Sequence, residues 1–141
     1  MTTIAANLNT IACDTRICDG IAHYHIDTKL HLVSGGVAGA SGDYETAMQI
    51  IDWLRRPKST KPDMEGCDYA EVLILKTDGL YVIDQTLRAV RVMEPTFAIG
   101  SGAMAARAAM LCGKTPGEAI KVAMELDTMT GGKVVSRRLI D

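Results

Sequence analysis

The chain has 141 residues, of which 48% are hydrophobic and 23% are charged, and its net charge is −2. This composition predicts one globular domain, 1–141, and excludes a disordered chain. It also gives no basic footprint for nucleic acid, and no apolar run reaches the roughly 20 residues of a membrane span. We therefore expect protein or peptide partners. Because the start of the chain lacks a signal-peptide pattern, we expect a cytoplasmic protein.

Four cysteines are scattered along the chain without the paired spacing of a zinc site. They are Cys13, Cys18, Cys67 and Cys112. A reducing compartment would keep them as thiols, so we interpret them as core or half-buried residues. His23 and His25 could share one strand face, but two histidines without a third ligand make a poor metal site. We expect no metal and no cofactor.

The first half of the chain predicts short strands followed by one helix. Turns rich in Asn or Gly separate the extended runs. These runs are expected at 2–6, 10–13, 20–27, 29–33 and 37–40. A helix begins near Asp43, where apolar residues recur at three- and four-residue spacing, and it ends before Pro57. Residues 55–66 are basic and contain two prolines, which predicts an exposed loop and leaves a docking segment as the alternative.

The second half predicts further strands, two helices and a closing strand. Strands are expected at 71–75, 79–84, 89–92, 97–99 and 133–140. Helices are expected over Ala103–Leu111 and Pro116–Leu126, the second with Thr115 as its N-cap. Strands and helices come in separate runs, which favours an α+β fold with helices on the faces of facing sheets.

Thr2 is the most informative candidate residue. If Met1 is removed, Thr2 carries both a hydroxyl nucleophile and a free α-amine, whose pKa near 8 lets it act as a base at neutral pH. A small second residue is nevertheless common and by itself has no functional meaning. The case for Thr2 therefore depends on the residues that gather around it.

Two charged candidates follow strand ends. Asp14 lies near Arg16, where the ordinary interpretation is a turn salt bridge worth under ~1 kcal/mol. Lys29 lies in a segment that must turn inward, although a lysine at a strand edge is the simpler alternative. A buried Lys29 ammonium beside Asp14 would stabilise a threonine alkoxide and lower the pKa of the α-amine by repulsion.

Two later short segments combine hydroxyl side chains with glycines. Residues 100–102, Gly-Ser-Gly, precede a helix, and residues 127–132, Asp-Thr-Met-Thr-Gly-Gly, follow one. Glycines let backbone approach closely, and a helix N-terminus offers unpaired amides. An ordinary cap and an ordinary turn are the alternatives.

Taken in order, these motifs resemble the proteasome β-subunit and HslV-like superfamily of N-terminal-nucleophile (Ntn) hydrolases. The matching segments span nearly the whole chain: 2–5, 11–16, Lys29, 38–39, 99–102 and 127–132. The resemblance implies a four-layer αββα sandwich of two antiparallel sheets. It also implies two long helices after the Gly39 region, where this sequence predicts one, so the chain is a shortened member.

The resemblance implies a role for each matching residue. Thr2 corresponds to the nucleophile, Asp14 to the carboxylate beside it, and Lys29 to the lysine that tunes its proton. Ser101, Asp127 and Thr130 correspond to the cluster that orients the α-amine, with Thr130 where the family usually has serine. Gly39 corresponds to the oxyanion donor. The implied substrate pocket consists of Ile17, Asp27, His31, Val37, Ser41 and Glu45.

The implied activity is threonine-type endopeptidase cleavage by acyl transfer, conditional on removal of Met1. The substrate would be a peptide or an unfolded protein. We expect a homo-oligomer that differs from the hexameric or heptameric ring, because one helix is missing, and the resemblance leaves room for an ATP-dependent unfoldase. The alternative is a non-catalytic proteasome-like assembly or adaptor protein.

Overall fold

A computed structural model of the chain describes residues 2–139. The strands are β1 (Thr3–Asn7), β2 (Thr10–Cys13), β3 (Arg16–Cys18), β4 (His23–His25), β5 (Leu30–Val33), β6 (Gly36–Gly42), β7 (Ala70–Lys76), β8 (Gly79–Asp84), β9 (Ala89–Val92), β10 (Thr96–Gly100) and β11 (Val135–Arg138). The helices are α1 (Tyr44–Arg55), α2 (Ala103–Leu111) and α3 (Pro116–Leu126).

Two antiparallel sheets form the centre of the fold. One has the strand order β10-β1-β2-β11, and the other has the order β5-β6-β7-β8-β9. Strand β1, which follows Thr2, pairs with β10 on one edge and with β2 on the other. The candidate nucleophile is thus the residue before a strand that is hydrogen-bonded on both sides.

Three apolar layers hold the sheets and helices together. Ile4 and Ile11 of one sheet pack against Leu73 and Leu75 of the other, which forms the core between the sheets. Helices α2 and α3 cover the outer face of the four-stranded sheet, and α1 covers the outer face of the five-stranded sheet. The predicted α+β fold and its αββα sandwich are confirmed.

Side-chain caps fix where two of the helices begin. The Asp43 carboxylate accepts a hydrogen bond from the Thr46 amide at 3.0 Å at the start of α1. At the start of α3, Thr115 and Glu118 form a reciprocal capping box. Between β6 and β7 the described chain holds the one helix that the sequence predicts, α1, and residues 56–69 form a largely exposed loop.

Two strand predictions differ from the structure. The sequence predicts an extended stretch at 20–27, of which only β4 is a strand; β4 pairs with β3, for which the sequence predicts no strand, and the two form a separate sheet. The closing strand was predicted over 133–140 and covers Val135–Arg138; residue 140 lies outside the described residues. Within residues 2–139, no helix combines the length and the apolarity that crossing a membrane demands.

Candidate active site

The Thr2 side chain lies in a buried polar cluster at the start of β1. Only 5% of Thr2 is exposed. Its hydroxyl donates a hydrogen bond to Asp14 Oδ1 at 3.0 Å, and the Lys29 ammonium donates to Thr2 Oγ1. The sequence-predicted nucleophile, carboxylate and lysine are therefore in direct mutual contact.

Asp14 is fully buried, and both of its carboxylate oxygens are satisfied. Oδ1 accepts hydrogen bonds from Thr2, from the Thr3 amide at 3.2 Å and from Lys29 Nζ at 2.8 Å. Oδ2 accepts from the Gly131 amide at 3.0 Å. Because a buried charge is costly unless it is paired and hydrogen-bonded, the Lys29 pairing and these hydrogen bonds compensate the burial of the carboxylate.

Lys29 is the cationic partner of that carboxylate. It is 6% exposed, and Nζ also donates to the Arg16 carbonyl oxygen at 2.5 Å. With Thr2, Asp14 and Arg16 all accepting from it, the three N–H donors of the ammonium are used. The lysine is thus fixed with its positive charge against the Thr2 hydroxyl, and the alternative of a solvated strand-edge lysine is excluded.

A second cluster joins Ser101, Asp127 and Thr130. Asp127 Oδ2 accepts hydrogen bonds from Ser101 Oγ at 2.5 Å and from Thr130 Oγ1 at 2.6 Å, and Oδ1 accepts from the Met129 amide at 3.1 Å. Partial burial raises the pKa of Asp127, but these hydrogen bonds outweigh it and lower the pKa below its usual value. The carboxylate is ionised at neutral pH.

Gly100 allows the second cluster to approach Thr2. Its φ is +99°, and a Cβ at this position would collide with the Thr2 carbonyl oxygen. The next residue, Ser101, donates its amide to that same oxygen at 2.9 Å. Glycine is therefore required where β10 passes Thr2, for both conformational and steric reasons.

Asp127 gives a pH-dependent prediction. A carboxyl whose pKa is lowered in the folded state contributes stability above its unfolded pKa, and this contribution is lost as pH falls through the folded pKa. We expect Asp127→Asn to lower the free energy of unfolding at pH 7 and to differ less from the parent at about pH 3. Urea unfolding at both pH values measures this difference. An equal difference at both would contradict the hydrogen-bonded ionised carboxylate.

Gly39 has a packing role that is visible directly. It lies within β6 between Leu30 of β5 and Leu73 of β7. A Cβ on Gly39 would come within 2.7 Å of Ile4 Cγ2, so glycine lets the two sheets approach at this point. Its assignment as the oxyanion donor stays a prediction.

The six predicted pocket residues differ in burial and in the face of the sheet on which they lie, and their assignment as a pocket stays a prediction. Val37, like Gly39, faces the core between the sheets, whereas His31 pairs with Ala38 and lies on the α1 face. Ser41 is buried and Ile17 half-buried, while Asp27 and Glu45 are exposed. The physical reason is strand register, since neighbouring residues on a strand point to opposite faces.

His31 lies against helix α1. Its Nδ1 lies 3.3 Å from Arg55 Nη2 of α1. Burial first, and then the Arg55 charge, lower the pKa of His31 below its ordinary value, so the ring is neutral at pH 7. His31 therefore belongs to the contact between β5 and α1.

The histidines of β4 are exposed. The rings of His23 and His25 meet edge to face, with centroids 5.7 Å apart. In the part of the chain that the structure describes, no three metal-ligating side chains come together. This pair forms an accessible strand surface, as the simpler interpretation predicts.

Sequence reasoning missed three contributors to the site. The amides of Thr3 and Gly131 complete the hydrogen bonding of Asp14. The third is the contact of Arg16: this residue was expected to pair with Asp14, but its guanidinium packs against Gly131 and donates to the Thr128 carbonyl at 2.9 Å. Backbone donors have no side-chain signal in a sequence. In the sequence, Gly131 is the one residue that indicates such a close approach, because the guanidinium of Arg16 occupies the space where a Cβ would lie.

The fold and this cluster define a chain with the sandwich architecture of the Ntn hydrolases, which confirms the resemblance at the level of fold. The structure is similar to eukaryotic HslV from Trypanosoma brucei, with a TM-score of 0.76, 16% sequence identity, and coverage of 96% of this chain and 98% of that chain.

A second similar protein is Thiobacillus denitrificans BPH, with a TM-score of 0.71, 16% identity, and coverage of 98% of this chain and 96% of that chain. Its complex with epoxomicin gives a TM-score of 0.71 at 17% identity, covering 98% of this chain and 97% of that chain. No protein-family model matches the chain, and no curated protein matches it in sequence.

Proposed function

We propose that the chain is an N-terminal threonine peptidase that cleaves peptide bonds through a Thr2 ester, once Met1 has been removed. The observation that carries the proposal is the buried contact of the Thr2 hydroxyl with the Lys29 ammonium and the Asp14 carboxylate. The fold shared with HslV and BPH supports a hydrolase of this class.

The first half of the reaction is acyl transfer to Thr2. The free α-amine takes the hydroxyl proton, directly or through water, while Oγ1 attacks the peptide carbonyl carbon. The Lys29 charge stabilises negative charge on Oγ1, and Asp14 fixes the ammonium in place. As the carbon–nitrogen bond breaks, the leaving amine takes the proton from the α-ammonium, which leaves an ester on Thr2.

The second half is hydrolysis of that ester. The α-amine takes a proton from water, the water oxygen attacks the ester carbonyl, and Oγ1 leaves with a proton as the carboxylic acid product forms. Ser101, Asp127 and Thr130 are assigned to hold the α-amine. Asp127 supplies the negative charge, and the two hydroxyl groups supply hydrogen-bonding oxygens.

Peptides or unfolded proteins are the proposed substrates, in the cytoplasm. The single helix over the five-stranded sheet supports a homo-oligomer different from the hexameric or heptameric ring. We also propose an ATP-dependent unfoldase as a partner, and the similarity of the fold to HslV supports this proposal.

Intact-mass analysis with epoxomicin tests the proposal. An epoxyketone has two electrophilic carbons, so a stable adduct with both reports a free hydroxyl and a free α-amine on one residue. We expect a chain that lacks Met1 and gains one epoxomicin, mapped to Thr2, with no adduct on urea-unfolded protein. Retained Met1 and no adduct on the folded chain would overturn the proposal.

A further inference from the structure

Thr3, the residue after the nucleophile, contacts both polar clusters. It is fully buried. Its amide donates to Asp14 Oδ1 at 3.2 Å, in the nucleophile cluster, and its hydroxyl lies 2.7 Å from Thr130 Oγ1, in the amine-orienting cluster. Thr3 Oγ1 also accepts the Gly102 amide at 3.1 Å. One side chain therefore connects the start of α2 with Thr130.

The direction of the hydroxyl–hydroxyl bond follows from counting protons. The ionised Asp127 carboxylate can only accept, so Thr130 spends its single hydroxyl proton on Asp127 Oδ2. Thr130 must then accept from Thr3, and Thr3 accepts from the Gly102 amide. The donors thus run in one direction, from the Gly102 N–H through Thr3 and Thr130 to Asp127.

Gly102 independently indicates that the fold requires close contact between the start of α2 and the Thr3 hydroxyl. A Cβ on Gly102 would collide with Thr3 Oγ1 and would come within 2.9 Å of Ala123 Cβ and 3.2 Å of Thr130 Oγ1. Glycine therefore allows the N-cap amide of α2 to reach the Thr3 hydroxyl. Nothing larger fits between α2, α3 and the cluster.

We propose that Thr3 is a positioning residue, whose hydroxyl fixes the orientation of Thr130 and so couples the amine-orienting cluster to the nucleophile cluster. This inference rests on the proposed function, because it assigns Thr3 to the same site. With its one proton directed to Asp127, Thr130 keeps a lone pair for the α-amine. Without the Thr3 donor, the Thr130 hydroxyl is polarised less and can rotate.

The matched variants are Thr3→Val and Thr3→Ser. Valine keeps the β-branched shape in β1 but cannot donate to Thr130 or accept from Gly102, whereas serine keeps the hydroxyl. We expect Thr3→Val to lower the rate of epoxomicin addition to Thr2 about 10- to 100-fold, with Thr3→Ser close to the parent. If valine reacts as fast as serine, the proposal fails.

A titration separates positioning from simple structural support. NMR of the ¹⁵N-labelled, Met1-free protein follows the Thr2 α-amine in each variant, with the fixed charges Asp14, Arg16, Lys29 and Asp127 unchanged. In Thr3→Val, the freed Thr130 hydroxyl can rotate away from Asp127, which weakens one hydrogen bond of that carboxylate. The less neutralised Asp127 charge stabilises the α-ammonium more, so we expect the pKa of the α-amine to rise by about half a unit or more. Thr3→Ser should restore the parent titration. Identical titrations in all three proteins would overturn the proposal.

The titration does not depend on peptide hydrolysis. If the parent fails to react with epoxomicin while Thr3→Val still shifts the α-amine titration, the proposed function fails and the positioning role stands. If the parent reacts with epoxomicin and the variants titrate like the parent, the proposed function stands and the positioning role of Thr3 fails. Should Thr3→Val fail to fold, Thr3→Ala removes the same hydroxyl with less bulk and is read by the same two measurements.

Discussion

Replacing Thr2 by alanine is expected to abolish peptide hydrolysis, lowering kcat/KM by at least about 10³-fold, because no other group in the cluster can form the ester. The rest of the cluster remains charge-balanced, since Lys29 and Asp14 still pair at 2.8 Å. The alanine protein should therefore keep its fold and its oligomeric state. Fluorogenic peptide cleavage, circular dichroism and light scattering measure the three properties.

Thr2→Ser is the matched control for that substitution. It keeps the hydroxyl and the α-amine, so activity well above the alanine background is expected. If Thr2→Ala left both peptide cleavage and biological function intact, the adaptor alternative would replace the peptidase. Loss of cleavage with unchanged assembly would exclude that alternative.

Replacing Lys29 by methionine is expected to have the largest combined effect. It removes the positive charge beside Oγ1, which should lower kcat about 10²- to 10³-fold. It also leaves the fully buried Asp14 carboxylate without its cation, which should lower the free energy of unfolding by about 3–5 kcal/mol. Peptide cleavage and urea unfolding measure the two effects.

Two comparison variants make the Lys29 result specific. Arg55→Met removes the cation of the exposed Arg55–Asp52 pair, so its effect on stability should stay under about 1 kcal/mol. The double variant Asp14→Asn/Lys29→Met removes the uncompensated charge and should recover part of the lost stability without recovering activity. A Lys29→Met protein as stable as Arg55→Met would contradict the buried ion pair.

Local signals predicted the helices well. The bounds of α2 and α3 agree with the sequence prediction, because Gly113 closely follows the end of α2 and the Thr115–Glu118 box starts α3. The β3 strand was missed because residues 14–16 were interpreted as a strand end. The sheet order could not be derived locally, since β1 pairs with β10 across some ninety residues of sequence.

The site was predictable in its side chains but not in its backbone. Thr2, Asp14 and Lys29 contact one another, as do Ser101, Asp127 and Thr130, which are the two groupings that the resemblance implied; their catalytic roles stay predictions. The amide of Gly131 and both groups of Thr3 were missed, since donors of this kind are defined only by three-dimensional approach. The pocket assignment stays a prediction, although one step of strand register places His31 and Val37 on opposite faces of the sheet.

Strand β1 is paired on both edges, and residues 3–6 of it are fully buried. We expect the amides of such a strand to exchange with solvent only when the whole domain opens, which would place the segment after Thr2 in the most protected cooperative unit. Thermal or urea inactivation should therefore coincide with global unfolding. The proposed peptidase would then have no partly open, inactive state at its centre, in contrast to enzymes whose catalytic groups lie on mobile lids.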